Sequence, residues 1–506
     1  MLLIRTDASA KVGTGHVMRC LALAQAWQSG GGRVAFLMAD SSPTLETRLR
    51  SEEFEVIHHP HPLGDEQDSD YTIALAKALN AEHVVVDGYH FEAAYQRHLK
   101  SAGLRVLFVD DNGHADHYAA DWVLNQNIYA HEGLYSHRSP DTQLLLGPRY
   151  ALIRREFWTW RGWQRQISPI AHKVLVTLGG SDPNNVTLMV IQVLQHVKVP
   201  DLEVVVVVGG SNPHISTLQA AAQSGPVKFH LRQNVADMPK LMSWADIAIA
   251  GGGSTCWELA LMGLPSLILT LADNQRAVAQ ALGERGIVKS LGVPFTLSLA
   301  QITQEIEELL FHDDLRANLS AAGNQISDGN GVYRVVMLLE DSRIWLRPIH
   351  QEDCQLLWHW ANDPTVRSVS FSQQSIPWQE HERWFLRKLH SPNCYFYIAF
   401  DHQDQPVGQV RFDFLNPNAL DAEISVSVDS QFRARGFGSL LINLGVQRLF
   451  KETLAEVIYA DIKAENVTSI KSFERAGFNK ESDEFKDNCL VFRYSKLRDS
   501  VAAKPN

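Results

Sequence analysis

Residues Ile247–Leu271 read IAIAGGGSTCWELALMGLPSLILTL. A short apolar run, Ile247–Ala250, is broken by Gly251-Gly252-Gly253. A helix-forming segment carrying Glu258 follows, and Ser266–Leu269 is apolar again. Strand, glycine loop, helix and strand in that order form the repeating unit of a parallel sheet, whose strands are buried on both faces and lack period-two alternation. The same kind of run recurs at Met1–Ile4, Arg33–Met38, His83–Val86, Val106–Val109, Val174–Leu178 and Val204–Val208. The first two-thirds of the chain therefore reads as α/β.

Two further strands run straight into glycines: LVTLGGSD at Leu175–Asp182 and VVVVGGSN at Val205–Asn212. The tract Ala151–Pro169, with Trp158, Trp160 and Trp163 among several arginines, interrupts the rhythm. It predicts a boundary between two Rossmann-like domains, residues 1–155 and 156–340, with a ligand cleft at the carboxyl ends of their strands. Asp328-Gly329-Asn330-Gly331 is a loop signal, and Arg343–Pro348 reads as the start of a third sheet. Tyr395–Phe400, Pro406–Phe414, Ala422–Val428 and Val457–Ile462 read as its strands, several of them alternating, so 341–500 is expected to be an α+β domain.

Bulk properties agree with three cores. The chain has 506 residues, 45% hydrophobic and 20% charged, and no run of the roughly 18 apolar residues that a membrane span needs. The start MLLIRTDASA lacks the features of a signal peptide, and five scattered cysteines lack C-x-x-C spacing. A cytoplasmic protein with reduced thiols is expected. A net charge of −11 points away from nucleic-acid partners, while glycine loops and helix N-termini still suit small anions.

The first such loop, Asp7–Arg19, reads DASAKVGTGHVMR and enters a helical pattern. Gly13 and Gly15 permit close backbone approach, and His16 stands where loop becomes helix. Imidazole exchanges protons near neutrality, which makes His16 a candidate general base; a capping or core histidine is the plainer reading, since the chain has 21 histidines. Gly179-Gly180-Ser181 and Gly251–Thr255 offer backbone N–H groups to a pyrophosphate, although tight turns use glycine too. Asp110-Asp111 is a weak metal signal.

With its polar turn Ala272-Asp273-Asn274-Gln275, the Gly251–Leu271 block resembles the donor site of GT-B glycosyltransferases. The resemblance implies ribose binding by Glu258, which would otherwise read as a solvated helix residue, and sugar contact by Asn274 and Gln275. Together with Asp7, Gly13–Leu21 and Gly179–Asp182, residues 1 to about 340 are similar to the UDP-sugar hydrolases of pseudaminic acid synthesis. That family implies water activation by His16, and substrate contacts from Asp7, Gly15, Arg19, Tyr89, Gly180, Ser181, Gly252, Gly253, Ser254 and Thr255. No metal enters the scheme.

In the last third, Val426–Leu440 reads VSVDSQFRARGFGSL and resembles the acetyl-CoA motif of GNAT acetyltransferases. The resemblance implies pyrophosphate binding by Arg433, Arg435, Gly436, Gly438 and Ser439, with pantetheine contacts from Val426, Val428 and Asn466. Phe473 stands where many relatives place an acidic tyrosine, so the acid is unassigned. Glu423 is a candidate base, or else an outward-facing strand residue. Trp358, Trp360, Trp378 and Trp384 read as packing, with some as possible pocket walls.

The expected whole is two Rossmann-like domains in a GT-B arrangement followed by a GNAT domain. It would acetylate a UDP-4-amino sugar with acetyl-CoA and then hydrolyse the diacetamido product. A glycosyltransferase with a different acceptor, or a non-enzymatic sensor of sugar nucleotides and CoA, fits the same motifs.

Overall fold

The computed structural model describes residues 1–8, 13–60, 64–210, 212–233, 235–416, 418–486 and 489–498. It divides into two compact units, one holding residues 1–28 and 32–335 and the other beginning at Val336. Among the described residues no helix is long and apolar enough to cross a membrane.

The first unit contains two all-parallel sheets. Strands β1 (Leu2–Thr6), β2 (Val34–Met38), β3 (Glu55–His58), β4 (His83–Asp87), β5 (Arg105–Val109), β6 (Trp122–Asn125) and β7 (Gln143–Leu146) lie in the order β3-β2-β1-β4-β5-β6-β7. Strands β8 (Lys173–Thr177), β9 (Glu203–Val208), β10 (Lys228–Gln233), β11 (Ile247–Gly251), β12 (Ser266–Leu269) and β13 (Lys289–Gly292) follow the order β10-β9-β8-β11-β12-β13. Each sheet reverses direction of growth beside its first strand. That reversal opens a crevice at the carboxyl ends of β1 and β4, and of β8 and β11.

Central strands have the expected character: β1 and β2 are buried along their whole length. Sequence reading passes over β3, β7, β10 and β13, which are all edges. An edge strand is covered on fewer sides and needs fewer apolar residues; β10, Lys228-Phe229-His230-Leu231-Arg232-Gln233, has no fully buried position. Short β6 is also passed over although its four residues are buried.

The tryptophan-arginine tract is a brace. Arg165 donates to the carbonyls of Met242 (2.6 Å), Ala245 (2.5 Å), Met262 (3.3 Å) and Gly263 (3.0 Å). These belong to the carboxyl ends of the helices Met238–Trp244 and Thr255–Leu261, whose last carbonyls lack intrahelical partners. Burial pushes the Arg165 pKa down to about 10.

The second unit has one mixed sheet: β14 (Trp345–Pro348), β15 (Cys394–Phe400), β16 (Pro406–Phe414), β17 (Asp421–Val428), β18 (Val457–Lys463), β19 (Asn479–Lys486) and β20 (Cys489–Leu497), ordered β14-β15-β16-β17-β18-β20-β19. Among the described residues of this unit only β17 and β18 pair in parallel, through Asp421–Glu423 against Val457–Tyr459. Beyond Glu423 they part, while β17 stays paired with β16 up to Val428.

Candidate functional site

A cleft of about 1200 Å³ lies at the strand ends of the first unit. His16 is the second residue of the helix Gly15–Ser29 and lines the cleft. Its Nδ1 is 2.5 Å from Asp87 Oδ1, at the carboxyl end of β4. Arg19, one turn along the same helix, donates to Asp87 through Nε (2.6 Å) and Nη2 (2.7 Å), and to Asp111 through Nη1 (2.6 Å). Burial alone would raise the Asp87 pKa; the charge of Arg19, then that of His16, outweighs it and holds the carboxyl well below the usual range.

For the neutral imidazole these contacts favour one tautomer. Arg19 Nη2 is also 3.1 Å from His16 Nδ1, but an ionised Asp87 can only accept, and its contact is the shorter. Nδ1 therefore carries the proton and donates to Asp87, leaving Nε2 with the lone pair. Tyr89 meets His16 edge-on, with ring centroids 4.9 Å apart, and donates to Asp111 at 3.2 Å. Asn127 donates to the other Asp111 oxygen at 2.8 Å, and Asn274 reaches Tyr89 Oη at 3.3 Å.

Asp7 departs from expectation. It is absent from the cleft wall and almost fully buried, bound to Arg5 at 2.6 Å and to the backbone N–H groups of Ala39 (2.7 Å) and Asp40 (3.0 Å). A carboxylate with these partners fixes the β1–β2 strand ends. Asp110 is likewise internal, accepting from Tyr118 and 3.0 Å from His114 Nδ1.

On the opposite wall stand Gly180, Ser181, Gly252, Gly253, Ser254, Thr255, Glu258, Asn274 and Gln275, with Gly15, Arg19 and Tyr89 facing them. The Gln275 carbonyl oxygen accepts from Gly252 N–H at 3.1 Å and Leu271 N–H at 3.0 Å. Gln275 is thus a brace for the glycine loop, and the Gly252 N–H is already engaged. Glu258 accepts two parallel bonds from Arg154, at 2.7 and 2.9 Å. Burial lifts the Glu258 pKa, and Arg154 draws it back only in part. A carboxylate has about four acceptor positions, so lone pairs remain for a diol.

At two of the loop glycines, Gly180 and Gly209, the packing leaves no room for a side chain. A Cβ on Gly180 would fall 2.8 Å from Thr14 Oγ1, and one on Gly209 would fall 2.1 Å from the Gly180 carbonyl oxygen.

The second unit has its own cavity of about 1540 Å³, where β17 and β18 part. Glu423, Val426, Val428, Arg433, Gly438, Asn466 and Phe473 line it. Glu423 is the last β17 residue paired with β18, so it marks the point of separation. Gly436 takes φ +82°, and nothing lies within 4 Å of where its Cβ would stand. This open, left-handed turn before the helix Phe437–Glu452 fits a pyrophosphate cradle.

Several expected cofactor contacts are already used. Arg433 donates through Nε to the Val428 carbonyl at 3.0 Å and pairs with Asp363 at 3.0 Å, so it closes the turn and takes the acceptor assigned to pantetheine. Asn466 caps the helix Val467–Arg475, accepting from Ser469 N–H at 3.1 Å. Arg435, Gly436 and Ser439 lie outside the cavity wall, and the Arg435 carbonyl accepts from Arg343 at 3.2 Å. Trp360 and Trp384 wall the cavity, whereas Trp358 and Trp378 pack edge-on, their centroids 5.7 Å apart.

Sequence reading does not assign Asp87, Asp111, Asn127 or Arg154. An acidic residue ending an apolar strand is the available signal for Asp87 and for Asp111, one residue beyond Asp110. Arg154 sits in the linker tract, and only the folded chain brings it across 104 positions to Glu258.

Residues 174–328 match the glycosyltransferase family 28 C-terminal domain, and 343–479 match the acetyltransferase (GNAT) domain. An uncharacterised protein of Methanocaldococcus jannaschii is 23% identical over 488 residues, covering 94% of this chain and 96% of its own. The spore coat polysaccharide biosynthesis protein SpsG of Bacillus subtilis is 26% identical over 341 residues, 67% of this chain and 97% of its own. The UDP-2,4-diacetamido-2,4,6-trideoxy-beta-L-altropyranose hydrolase of Campylobacter jejuni is 25% identical over 291 residues, 56% of this chain and 97% of its own. The first two-thirds of the chain is thus similar to SpsG and to the altropyranose hydrolase, and residues 343–479 match the acetyltransferase (GNAT) domain.

Proposed function

We propose that this fusion N-acetylates a UDP-linked 4-amino-4,6-dideoxy sugar and hydrolyses the resulting UDP-2,4-diacetamido-2,4,6-trideoxy sugar, of the altrose series, to UDP and free sugar. The observation that carries the hydrolase is the His16–Asp87 pair on a cleft whose other wall is made of glycine loops and Glu258. His16 Nε2 takes a proton from water as the water oxygen attacks the anomeric carbon; the carbon–oxygen bond breaks and UDP leaves. Asp87 keeps the ring oriented and stabilises the imidazolium that forms. Glu258 holds the ribose hydroxyls, while Gly253–Thr255 and Gly180-Ser181 face the diphosphate.

The acetylation is supported by the parted strands and the Gly436 turn. Acetyl-CoA supplies an activated acyl carbon. In this reading Val426 and Val428 of β17 would hold its arm, and Glu423 would take the proton of the attacking amine, directly or through water. Incubation of the chain with acetyl-CoA and the UDP-4-amino sugar is expected to give CoA, UDP and the diacetamido sugar. UDP release that requires an added acceptor would replace hydrolysis with glycosyl transfer, and absence of any turnover would favour a sensor.

A further inference from the structure

Part of the acetyltransferase cavity wall comes from the helix Trp378–Leu389, which contributes Arg383, Trp384 and Arg387, and from β15 and β16, which contribute Phe396 and Arg411. Arg383 and Arg387 are four apart, hence on one helical face. Both are exposed, and among the described residues neither has a carboxylate within 4.0 Å; Arg383 gives its Nε to the Gln379 carbonyl at 3.1 Å. Arg411 spends Nε on Asp413 at 2.7 Å and lies over the Trp384 ring, 5.1 Å from its centroid, with its Nη groups unbonded.

Three guanidinium groups on one cavity wall, two of them without an anionic partner, repel a cationic acceptor such as a polyamine. Planar N–H forks suit phosphate oxygens, which they can grip in pairs. Trp384 and Phe396 offer ring faces to a sugar or a base. Glu423 stands at the strand separation on the same cavity.

We infer that Arg383, Arg387 and Arg411 form a diphosphate clamp, so that the amine acceptor enters this domain still joined to its nucleoside diphosphate. The inference rests on the bifunctional reading above and assigns the residues that would hold the diphosphate of its acceptor. The amine nitrogen attacks the thioester carbon, the carbon–sulfur bond breaks, CoA leaves as the thiolate, and the amine's proton passes to Glu423 and from there through solvent to the thiolate sulfur. Only afterwards is the sugar–diphosphate bond cut, because cutting it first would remove the group that the clamp holds.

Two measurements on the full chain test this. Calorimetric titration with UDP is expected to show two binding equivalents for the parent and one for Arg383→Ala/Arg387→Ala, with CoA affinity the same in both. Equal stoichiometry in the two proteins, or a loss of CoA affinity in the variant, overturns the clamp whatever the activity assays show. In a His16→Ala background, where the UDP link survives, CoA release is expected to favour the UDP-amino sugar over the free amino sugar by about a hundredfold. Each arginine substitution should raise KM for the UDP-amino sugar about tenfold while KM for acetyl-CoA stays constant. Equal use of free and UDP-linked sugar overturns the inference. A clamp that binds UDP in a chain that acetylates neither sugar would sink the acetylation reading and leave the binding site standing.

Discussion

Asp87 Oδ1 stands 2.5 Å from His16 Nδ1, and the same carboxylate is held by Arg19 at 2.6 and 2.7 Å. One buried anion thus fixes both the orientation and the protonation of the ring that faces the cleft. Asp87→Asn should lower the rate of UDP release roughly 10²–10⁴-fold, because an amide can offer N–H to Nδ1 and favour the wrong tautomer. UDP affinity should stay within about threefold of the parent. Steady-state kinetics with calorimetric Kd values check both; a fall in UDP affinity equal to the fall in rate would make Asp87 a binding residue instead.

Asp7 makes a contribution to stability whose pH range can be given. Burial would raise its pKa, but the hydrogen bond with His90, the charge of Arg5 and the two backbone N–H groups lower it to about 2. The folded pKa lies below the unfolded value, so the stabilisation is complete above about pH 5 and disappears as pH falls through 2. Its size is about 2 kcal/mol. Asp7→Asn should therefore unfold at a lower temperature than the parent at pH 7, with the gap narrowing at pH 3. UDP hydrolysis at neutral pH and low temperature should persist, which separates this role from substrate contact.

The Arg154–Glu258 pair predicts a non-additive double substitution. Removing Arg154 leaves Glu258 buried among apolar neighbours without its cation, and Arg154→Ala should cost about 3 kcal/mol in urea unfolding. Arg154→Ala/Glu258→Gln should cost less than Arg154→Ala alone, since the stranded charge is gone. Both variants should bind UDP weakly. Additive losses would show that the ion pair is not what makes Arg154 important.

At Gly436 the left-handed turn permits one change to separate the two activities. Any Cβ there costs roughly 1–2 kcal/mol of backbone strain and enters open space before the helix. Gly436→Val is expected to weaken CoA binding at least about tenfold, by fluorescence titration, while UDP release from the diacetamido sugar is unchanged. Retained CoA binding would move the cradle elsewhere.

The parallel core strands were legible in the sequence because a strand buried on both faces must be apolar throughout; β12 spans the same residues that its composition predicts, Ser266–Leu269. Solvated β10 carries too little apolar signal to be read as a strand. Residue types were easier to read than their partners: Gln275 and Asp7 are expected to contact substrate, but the folded chain binds Gln275 to the Gly252 and Leu271 N–H groups and Asp7 to Arg5 and the end of β2. Arg154 and Asp87 were missed for the same reason.

Gly209 carries a constraint of another origin. Its neighbour in space is the Gly180 carbonyl, so the choice of amino acid at 209 is dictated by a loop that comes earlier in the chain. A mutational library should tolerate asparagine at Gly179, where only a left-handed φ of +88° has to be met. At Gly209 it should recover glycine alone, even alanine being excluded by a backbone that cannot withdraw. In a lineage of such proteins, information about one strand's loop would then be written in the sequence of the next.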